Sequence, residues 1–270
     1  MKMKKTVLGL AFVASMALLT ACGQSSKAAT PAAIKEKGKI VVATNPEFAP
    51  FEFQTVVDGK NTIVGADVEI AKAIAEKLNV KVEFSSMSFD NVLNSLNTGQ
   101  ADIAMSGISK TEERSQVYDF SEPYYTAVNK IIIRKSDLNK FTSLDSFNQA
   151  KVGTQKGTIQ EKVAKEQLKG SQGVSLDKNG SLITELKNGQ IDAVVFEEPV
   201  AKGYVAQNDD LIIADIEMDS SSSDAYAVAL PKGSKELKDE IDAVIKDLKS
   251  KGQIEKDVDD ALALSLQNSK

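Results

Sequence analysis

The sequence has 270 residues, with 33 basic and 38 acidic side chains and a net charge of −5 at pH 7. It contains no histidine, no tryptophan and a single cysteine, Cys22. These absences exclude a Ser-His-Asp triad, a Cys-His pair, a histidine metal site and an intrachain disulfide, so we expect no metal site and no cofactor. The acidic balance argues against nucleic acid as a partner. A chain of this length is near the size at which one core divides into two lobes.

The N-terminal segment has the pattern of an export signal. Lysines near the start precede an apolar run over residues 7–19, which is too short and too early for an ordinary spanning helix. The run ends in the tetrapeptide LTAC, which resembles the cleavage site of bacterial lipoproteins. This resemblance implies that residues 1–21 are removed and that Cys22 carries lipid, which anchors the protein at the extracytoplasmic face of the cell membrane. A plain signal peptide with an incidental cysteine is the alternative.

The elements that follow alternate between short apolar runs and helical periodicity. Residues 22–30 are small and polar, which predicts a flexible tether. The run Ile40-Val41-Val42-Ala43 is typical of a strand, and Asp58-Gly59 predicts a hairpin turn. Apolar residues spaced at i, i+3, i+4 and i+7 over residues 71–78 predict a helix, with Asp67 in its first turn. This alternation indicates an α/β fold.

A short pattern occurs twice in the chain. LNTGQADIA begins at Leu96 and LKNGQIDAV begins at Leu186, with Leu, Gly, Gln and Asp at identical spacing. In each copy an amphipathic helix is predicted to end at the glycine and to lead into a buried strand. Both strands end in polar residues, and ligands of open α/β sheets bind beyond the carboxyl ends of strands. Two facing strand ends predict a cleft, although helix-glycine-strand is also a common unit that can recur by chance.

Two segments without helical pattern are the candidate connections between the lobes, residues 124–130 and residues 218–224. They assign residues 31–127 plus 224–270 to the first lobe and residues 128–223 to the second. An amphipathic helix with a charged solvent face is predicted over residues 235–251.

Arg114 is the leading candidate for a charged group that binds ligand. It follows the end of the first repeat strand, where Gly107 and Ser109 offer a backbone N–H and a hydroxyl. A guanidinium can grip both oxygens of a carboxylate. Glu197 ends the second repeat strand and can receive an ammonium group from across the cleft. Together these groups predict a site for a zwitterion, whereas each alone is equally typical of an ordinary surface or helix-terminal charge.

Four phenylalanines lie near predicted strand or helix ends. Phe51 and Phe53 are expected in the core, which is the usual place for an aromatic residue near a strand end. Phe48 and Phe89 are the better candidates for walls that enclose an apolar part of a ligand by stacking or cation–π contact.

The mature sequence resembles the polar amino-acid family of periplasmic-type solute-binding proteins (family 3), the extracellular receptors of ABC importers. Five motifs in order carry the resemblance: ATNPEFAPFEF from Ala43, GADVEI from Gly65, SGISKTEER from Ser106, YDFSEPYY from Tyr118 and VGTQKGT from Val152. The resemblance implies an α/β, two-lobed fold of the periplasmic-binding-protein type II, with two hinge crossings.

The resemblance also implies how an amino acid is held at its common end. Arg114 would bind the α-carboxylate, with backbone or hydroxyl help from Gly107, Ser109 and Thr158. Glu197 would bind the α-amino group, although the family usually has the shorter aspartate at this position.

Further ligand contacts are implied by the same resemblance. Asn45 would also contact the α-amino group, at a position where the family usually has aspartate. Phe48 and Phe89 would flank the ligand side chain. Asp67 stands where relatives that bind basic ligands reach the distal group, and Gln155 occupies a position that varies with ligand class.

These expectations favour a monomeric, lipid-anchored receptor that binds a free amino acid and delivers it to an ABC permease with its ATPase subunits. Asp67, with Glu47 nearby, favours arginine, lysine or histidine, whereas Gln155 and the neutral Asn45 leave glutamine or another polar amino acid as an alternative. The same fold hosts dehydratases, so an enzyme that uses Glu197 or Glu47 as general acid or base is a second alternative. A surface adhesin or a sensor without transport is the least favoured reading.

Overall fold

The structure, a computed structural model, describes residues 28–219 and 225–267. The predicted signal, Cys22 and most of the tether lie outside these residues, as do the four serines of the second predicted connection. In the described part of the chain, no helix combines the length and the apolar character needed to cross a membrane.

The strands, in chain order, are β1 (Lys39–Thr44), β2 (Glu47–Phe48), β3 (Glu52–Val57), β4 (Lys60–Val64), β5 (Lys81–Ser86), β6 (Ile103–Ala104), β7 (Tyr118–Phe120), β8 (Tyr125–Thr126), β9 (Asn129–Arg134), β10 (Lys151–Gln155), β11 (Gln172–Leu176), β12 (Ala193–Glu197), β13 (Leu211–Ile213), β14 (Ala225–Tyr226) and β15 (Ala229–Pro231). The α-helices are α1 (Pro31–Lys37), α2 (Ala66–Leu78), α3 (Phe89–Asn97), α4 (Glu112–Val117), α5 (Gln160–Gln167), α6 (Asn179–Lys187), α7 (Glu198–Ala206), α8 (Lys235–Ser250) and α9 (Gln253–Gln267).

Two five-stranded sheets with the same internal pattern organise the fold. Their strand orders are β5-β1-β6-β15-β7 and β11-β10-β12-β9-β13. In each sheet the first three strands are parallel and the fourth runs antiparallel to both of its neighbours. The central strands β1, β9 and β12 are rich in valine or isoleucine and almost wholly buried, as strands covered on both faces are. The α/β expectation is confirmed.

The predicted local elements are present. The hairpin of β3 and β4 turns at Asp58 and Gly59, which have φ angles of 50° and 76°, the left-handed region that this two-residue turn requires. The predicted stripe of α2 is buried along its whole length, and so are the main apolar positions of α8. Helix α9 was not predicted, although Ile254, Val258 and Ala261 recur at helical spacing and form its buried face.

The repeated sequence pattern corresponds to a repeated structure. Helices α3 and α6 lead into β6 and β12, which pair in parallel with the equivalent strands β1 and β10. The aspartate of each copy forms the equivalent hydrogen bond to the backbone of the neighbouring strand. Asp102 accepts the backbone N–H of Val41 at 2.7 Å, and Asp192 accepts the N–H of Lys151 at 2.9 Å. Each carboxylate therefore ties its own strand to the neighbouring parallel strand, so the match is not a chance recurrence.

The chain passes twice between the two sheets. It leaves β7 of the first sheet through β8 to reach β9, and it returns from β13 through β14 to reach β15. Strands β8 and β14 pair with each other in an antiparallel ribbon. The first connection is shorter than predicted because β9 already begins at Asn129. These two crossings place the carboxyl ends of the parallel strands of both sheets on either side of a narrow gap.

Candidate functional site

A small cavity of about 10 Å³ lies between the two sheets, beyond the ends of β6 and β12. Eight of the predicted ligand residues line it: Phe48, Phe89, Gly107, Ser109, Arg114, Gln155, Thr158 and Glu197. This volume is about that of a single water molecule. An amino acid can therefore enter only if the two walls move apart.

The guanidinium of Arg114 is held at the cavity by both walls. Nη1 donates to the carbonyl oxygen of Ser109 at 2.9 Å, and Nη2 donates to the carbonyl oxygen of Gly157, on the other side, at 3.1 Å. The guanidinium carbon lies 5.9 Å from the centroid of the Phe89 ring. Burial lowers the pKa of Arg114, while the nearby acids Glu113 and Glu197 act in the opposite direction. Arginine stays charged under these conditions, so a half-buried cation with further N–H donors is available for a carboxylate.

Glu197 supplies the opposite charge. Its side chain is 5% exposed and ends β12. Gln160 donates through Nε2 both to Glu197 Oε1 at 2.8 Å and to Asn129 Oδ1 at 2.9 Å. This amide fixes the orientation of the carboxylate toward the cavity wall. Sequence reasoning missed Gln160 and Asn129 because nothing in their local pattern distinguishes them from ordinary polar residues.

Asn45 is not among the residues that line the cavity, and its expected contact with an α-amino group stays a prediction. Its Oδ1 accepts Nε2 of Gln155 at 3.0 Å, and its own Nδ2 donates to the carbonyl oxygen of Met87 at 2.9 Å. The amide is therefore used to connect the two sheets. Gln155 lines the cavity as predicted and also donates to the carbonyl oxygen of Asp177 at 3.1 Å.

Asp67 also lies behind the cavity wall rather than in it. It is 2% exposed, and its Oδ2 accepts the backbone N–H of Gly107 at 3.0 Å. Asp67 contacts the cavity wall through the backbone of Gly107, and its expected role toward the distal group of a ligand stays a prediction. Burial raises the pKa of Asp67 to about 6, against the lowering effect of this N–H.

The aromatic residues divide as the sequence indicated. Phe48 and Phe89 line the cavity, and Phe51 and Phe53 are buried away from it. The rings of Phe48 and Phe51 are stacked with their centroids 5.8 Å apart, which supports the cavity wall from behind.

A larger groove of about 930 Å³ lies elsewhere, beside the β3–β4 hairpin and helices α6 and α7. None of the predicted ligand residues lines it. Within the described residues, no cluster of three or more acidic or cysteine side chains could hold a metal ion. The small cavity is therefore the candidate site, because it contains eight of the predicted ligand residues, including Arg114 and Glu197.

A family model described as bacterial extracellular solute-binding proteins, family 3, matches residues 40–260. The chain belongs to this family. Its members' type II fold and role in amino-acid import agree with the two sheets, the two crossings and the charged cavity described above. The protein is a substrate-binding transport protein rather than an enzyme.

Similar proteins of this family include several that are named for basic amino acids. The chain is 36% identical over 260 residues to the arginine-binding extracellular protein ArtP of Bacillus subtilis (strain 168), covering 94% of this chain and 96% of that protein. It is 32% identical over 260 residues to a probable histidine-binding protein of Neisseria gonorrhoeae, covering 95% and 94%. The crystal structure of the amino acid ABC transporter substrate-binding protein AbpA from Streptococcus pneumoniae Canada MDR_19A, bound to L-arginine, shares 59% identity and superposes with a TM-score of 0.84, covering 87% of this chain and 99% of that one.

Proposed function

We propose that this protein captures a basic amino acid, with arginine favoured, and presents it to an ABC permease with its ATPase subunits. The observation that carries the proposal is the presence of opposite charges in one cavity: Arg114, in helix α4 after the first repeat strand, and Glu197, at the end of the second repeat strand. A zwitterion that satisfies both charges must touch both walls. Phe48 and Phe89 then remain to flank the side chain.

The charge balance supports a cationic side chain over a neutral one. Arg114 and Glu197 offset the two charges of the α-carboxylate and α-amino groups, which leaves the buried carboxyl of Asp67 as additional negative charge behind Gly107. The relatives described above that are named for arginine and histidine, or bound to arginine, favour the same class. Glutamine remains the alternative, because Gln155 offers a neutral amide to the same cavity.

We further propose that the two sheets are the cores of two lobes, residues 31–127 plus 224–270 and residues 128–223, that close on the ligand. A ligand favours closure only by its differential affinity for the closed form, and a shift from 1:99 to 99:1 needs roughly 5.5 kcal/mol. Contacts to charges on both walls supply such a difference. A monomer suffices for this mechanism.

Attachment to the membrane is proposed to run through Cys22. Two or three acyl chains, at roughly 0.8 kcal/mol per buried methylene, would hold the folded domain at the cell surface beside its permease. Replacing Cys22 by alanine is expected to move the protein from the membrane fraction to the soluble fraction. Unchanged membrane association of this variant would contradict the lipid anchor.

The proposed ligand is tested by calorimetric titration of the protein, stripped of bound ligand by unfolding and refolding, against the twenty common amino acids. One-to-one binding restricted to arginine, lysine or histidine is the expected result. Binding restricted to glutamine or asparagine would retain the receptor and replace its ligand class. Absence of binding to every amino acid would overturn the proposal.

A further inference from the structure

Two carboxyl groups are buried together beneath the floor of the cavity. Glu52, in β3, is 0% exposed and Asp67, in the first turn of α2, is 2% exposed. The two carboxyl groups are close enough to interact, and a hydrogen bond can form between them when one of them carries a proton. Among the described residues, neither forms an ion pair with a lysine or an arginine, so no fixed positive charge compensates this pair.

Each carboxyl supports one residue of the cavity floor. The hydroxyl of Ser106 donates to Glu52 Oε1 at 2.6 Å, and the N–H of Gly107 donates to Asp67 Oδ2 at 3.0 Å. Ser106 and Gly107 both line the cavity. Ser106 also accepts the backbone N–H of Asn45 at 3.1 Å, which links the floor to the residue that Gln155 contacts from the other sheet.

The other oxygen of each carboxyl is poorly satisfied. In the described part of the chain, Glu52 Oε2 and Asp67 Oδ1 are buried and form no hydrogen bond of normal geometry, although the buried hydroxyl of Tyr124 interacts with the Asp67 carboxyl. Two adjacent carboxylates in a dry site cannot both be ionised at low cost. A single proton on one carboxyl, donated to the other, satisfies both oxygens and removes one of the two charges.

We propose that Glu52 and Asp67 share one proton and act as positioning residues that hold Ser106 and Gly107 in the geometry the ligand requires. The proposal rests on the amino-acid-binding function proposed above. It adds that ligand affinity depends on the buried Glu52–Asp67 pair beneath the cavity. Neither residue needs to touch the ligand.

Glu52 is the expected site of the shared proton at neutral pH. Burial, followed by the charge of Asp67, raises the pKa of Glu52 well above its usual value, whereas the pKa of Asp67 rises only to about 6. The other ionisable groups facing the pair are the buried hydroxyls of Tyr124 and Tyr226, from the two crossings, and the carboxylate of Glu197. None of these groups carries a positive charge, so none of them favours the state in which both carboxyls are ionised.

The pair also predicts a pH dependence of binding. We expect Asp67 to gain a proton as the pH falls through about 6, and one of the two carboxyl protons then lacks an acceptor within the pair. The negative charge behind the floor is lost at the same time. Affinity for arginine is therefore expected to be constant above pH 7 and to fall about tenfold toward pH 5, with proton release on binding in that range.

The test uses the full chain, purified in detergent, and compares Glu52→Gln with Glu52→Ala. Glutamine reproduces the protonated acid, because its amide N–H donates to Asp67 and its carbonyl accepts from Ser106. We expect Glu52→Gln to bind arginine within about threefold of wild type at pH 7, and Glu52→Ala to bind at least about tenfold more weakly.

Asp67→Asn should remove the pH dependence of arginine affinity between pH 5 and 7. Glu83→Gln, an exposed acid paired with Lys39, is the matched control and should change nothing.

An infrared difference spectrum of wild type minus Glu52→Gln provides a readout that does not depend on ligand. The carbonyl band of a protonated carboxylic acid is expected at pH 7. A carboxylate band in its place would overturn the shared proton. Equal losses of affinity in Glu52→Gln and Glu52→Ala, with both folded by thermal unfolding, would overturn the positioning role. If wild type binds no amino acid, the proposed function fails, and this spectrum still decides the protonation of the pair.

Discussion

Gln155 and Asn45 are hydrogen-bonded across the gap between the two sheets, with 3.0 Å between Gln155 Nε2 and Asn45 Oδ1. Both side chains are almost fully buried, at 3% and 5% exposure. Further contacts join the two sides, among them Arg114 to Gly157, Lys156 to Asp90 and Asn179 to the carbonyl oxygen of Glu47. The closed arrangement is thus supported by protein contacts as well as by any ligand.

Replacing Gln155 by leucine is expected to weaken ligand binding. The substitution leaves Asn45 Oδ1 buried without a donor, which costs about 1 to 3 kcal/mol in the closed form and corresponds to a loss of about 5- to 150-fold in affinity. Titration calorimetry measures the change. Gln172→Leu, at an exposed position of β11, is the control and should retain affinity. Wild-type affinity in Gln155→Leu would show that this contact does not contribute to closure.

Arg114→Ala is expected to abolish measurable ligand binding while the protein remains folded. Removing one partner of a buried charge pair costs about 3 to 5 kcal/mol, and Glu197 together with the ligand carboxylate would then lack its cation. Calorimetry reports binding and thermal unfolding reports the fold. Retained affinity near the wild-type value would refute the assignment of Arg114.

Arg134→Ala is expected to have the opposite effect to Arg114→Ala, because Arg134 stabilises the fold and does not line the cavity. Its Nη1 donates to the carbonyl oxygen of Leu186, in the last turn of α6, at 2.6 Å and to that of Ile191, just before β12, at 2.7 Å. Arg134→Ala should lower the free energy of unfolding by about 1 to 3 kcal/mol and leave the ligand affinity of the folded protein unchanged. A selective loss of affinity in Arg134→Ala would mean that the two sites are coupled.

Gly65→Ala is expected to disrupt the junction between β4 and α2. A Cβ at Gly65 would lie 2.1 Å from the carbonyl oxygen of Phe51, and its φ of 132° is accessible only to glycine. We expect a loss of at least about 3 kcal/mol in urea unfolding. Gly180→Ala, inside α6 with no atom within 4 Å of the added carbon, should instead gain about 0.5 to 1 kcal/mol. Similar effects of the two substitutions would contradict this reading of the backbone.

The buried carboxyl of Asp67 predicts how stability changes with pH. Its pKa rises from 3.8 to about 6 on folding, so the folded state binds this proton more tightly than the unfolded state. Protonation of Asp67 therefore stabilises the folded state by about 3 kcal/mol. This stabilisation is fully present below pH 4 and is lost as the pH rises through 6. Unfolding by urea at several pH values should show a smaller decrease between pH 4 and 7 in Asp67→Asn than in wild type. An identical pH dependence in both proteins would exclude a raised pKa.

Much of the fold and part of the site were predictable because they depend on local pattern. Periodicity identified β1, α2 and α8, the Asp58-Gly59 pair identified the hairpin, and a repeated spacing of four residue types identified two equivalent halves. Arg114 and Glu197 could be selected from the sequence because one lies in the segment after the first repeat strand and the other ends the second. Ordered motifs then indicated the family.

Only the tertiary structure decided which side chains face the cavity and which support it. Asn45 and Asp67 belong to recognisable motifs, yet one is directed to Gln155 and the other to the backbone of Gly107. Glu52 is brought to Asp67 by the packing of β3 against α2, which no local spacing reveals. Local periodicity reports the side of a strand or helix on which a residue lies, whereas hydrogen-bond partners and buried charge depend on residues brought together from distant parts of the chain.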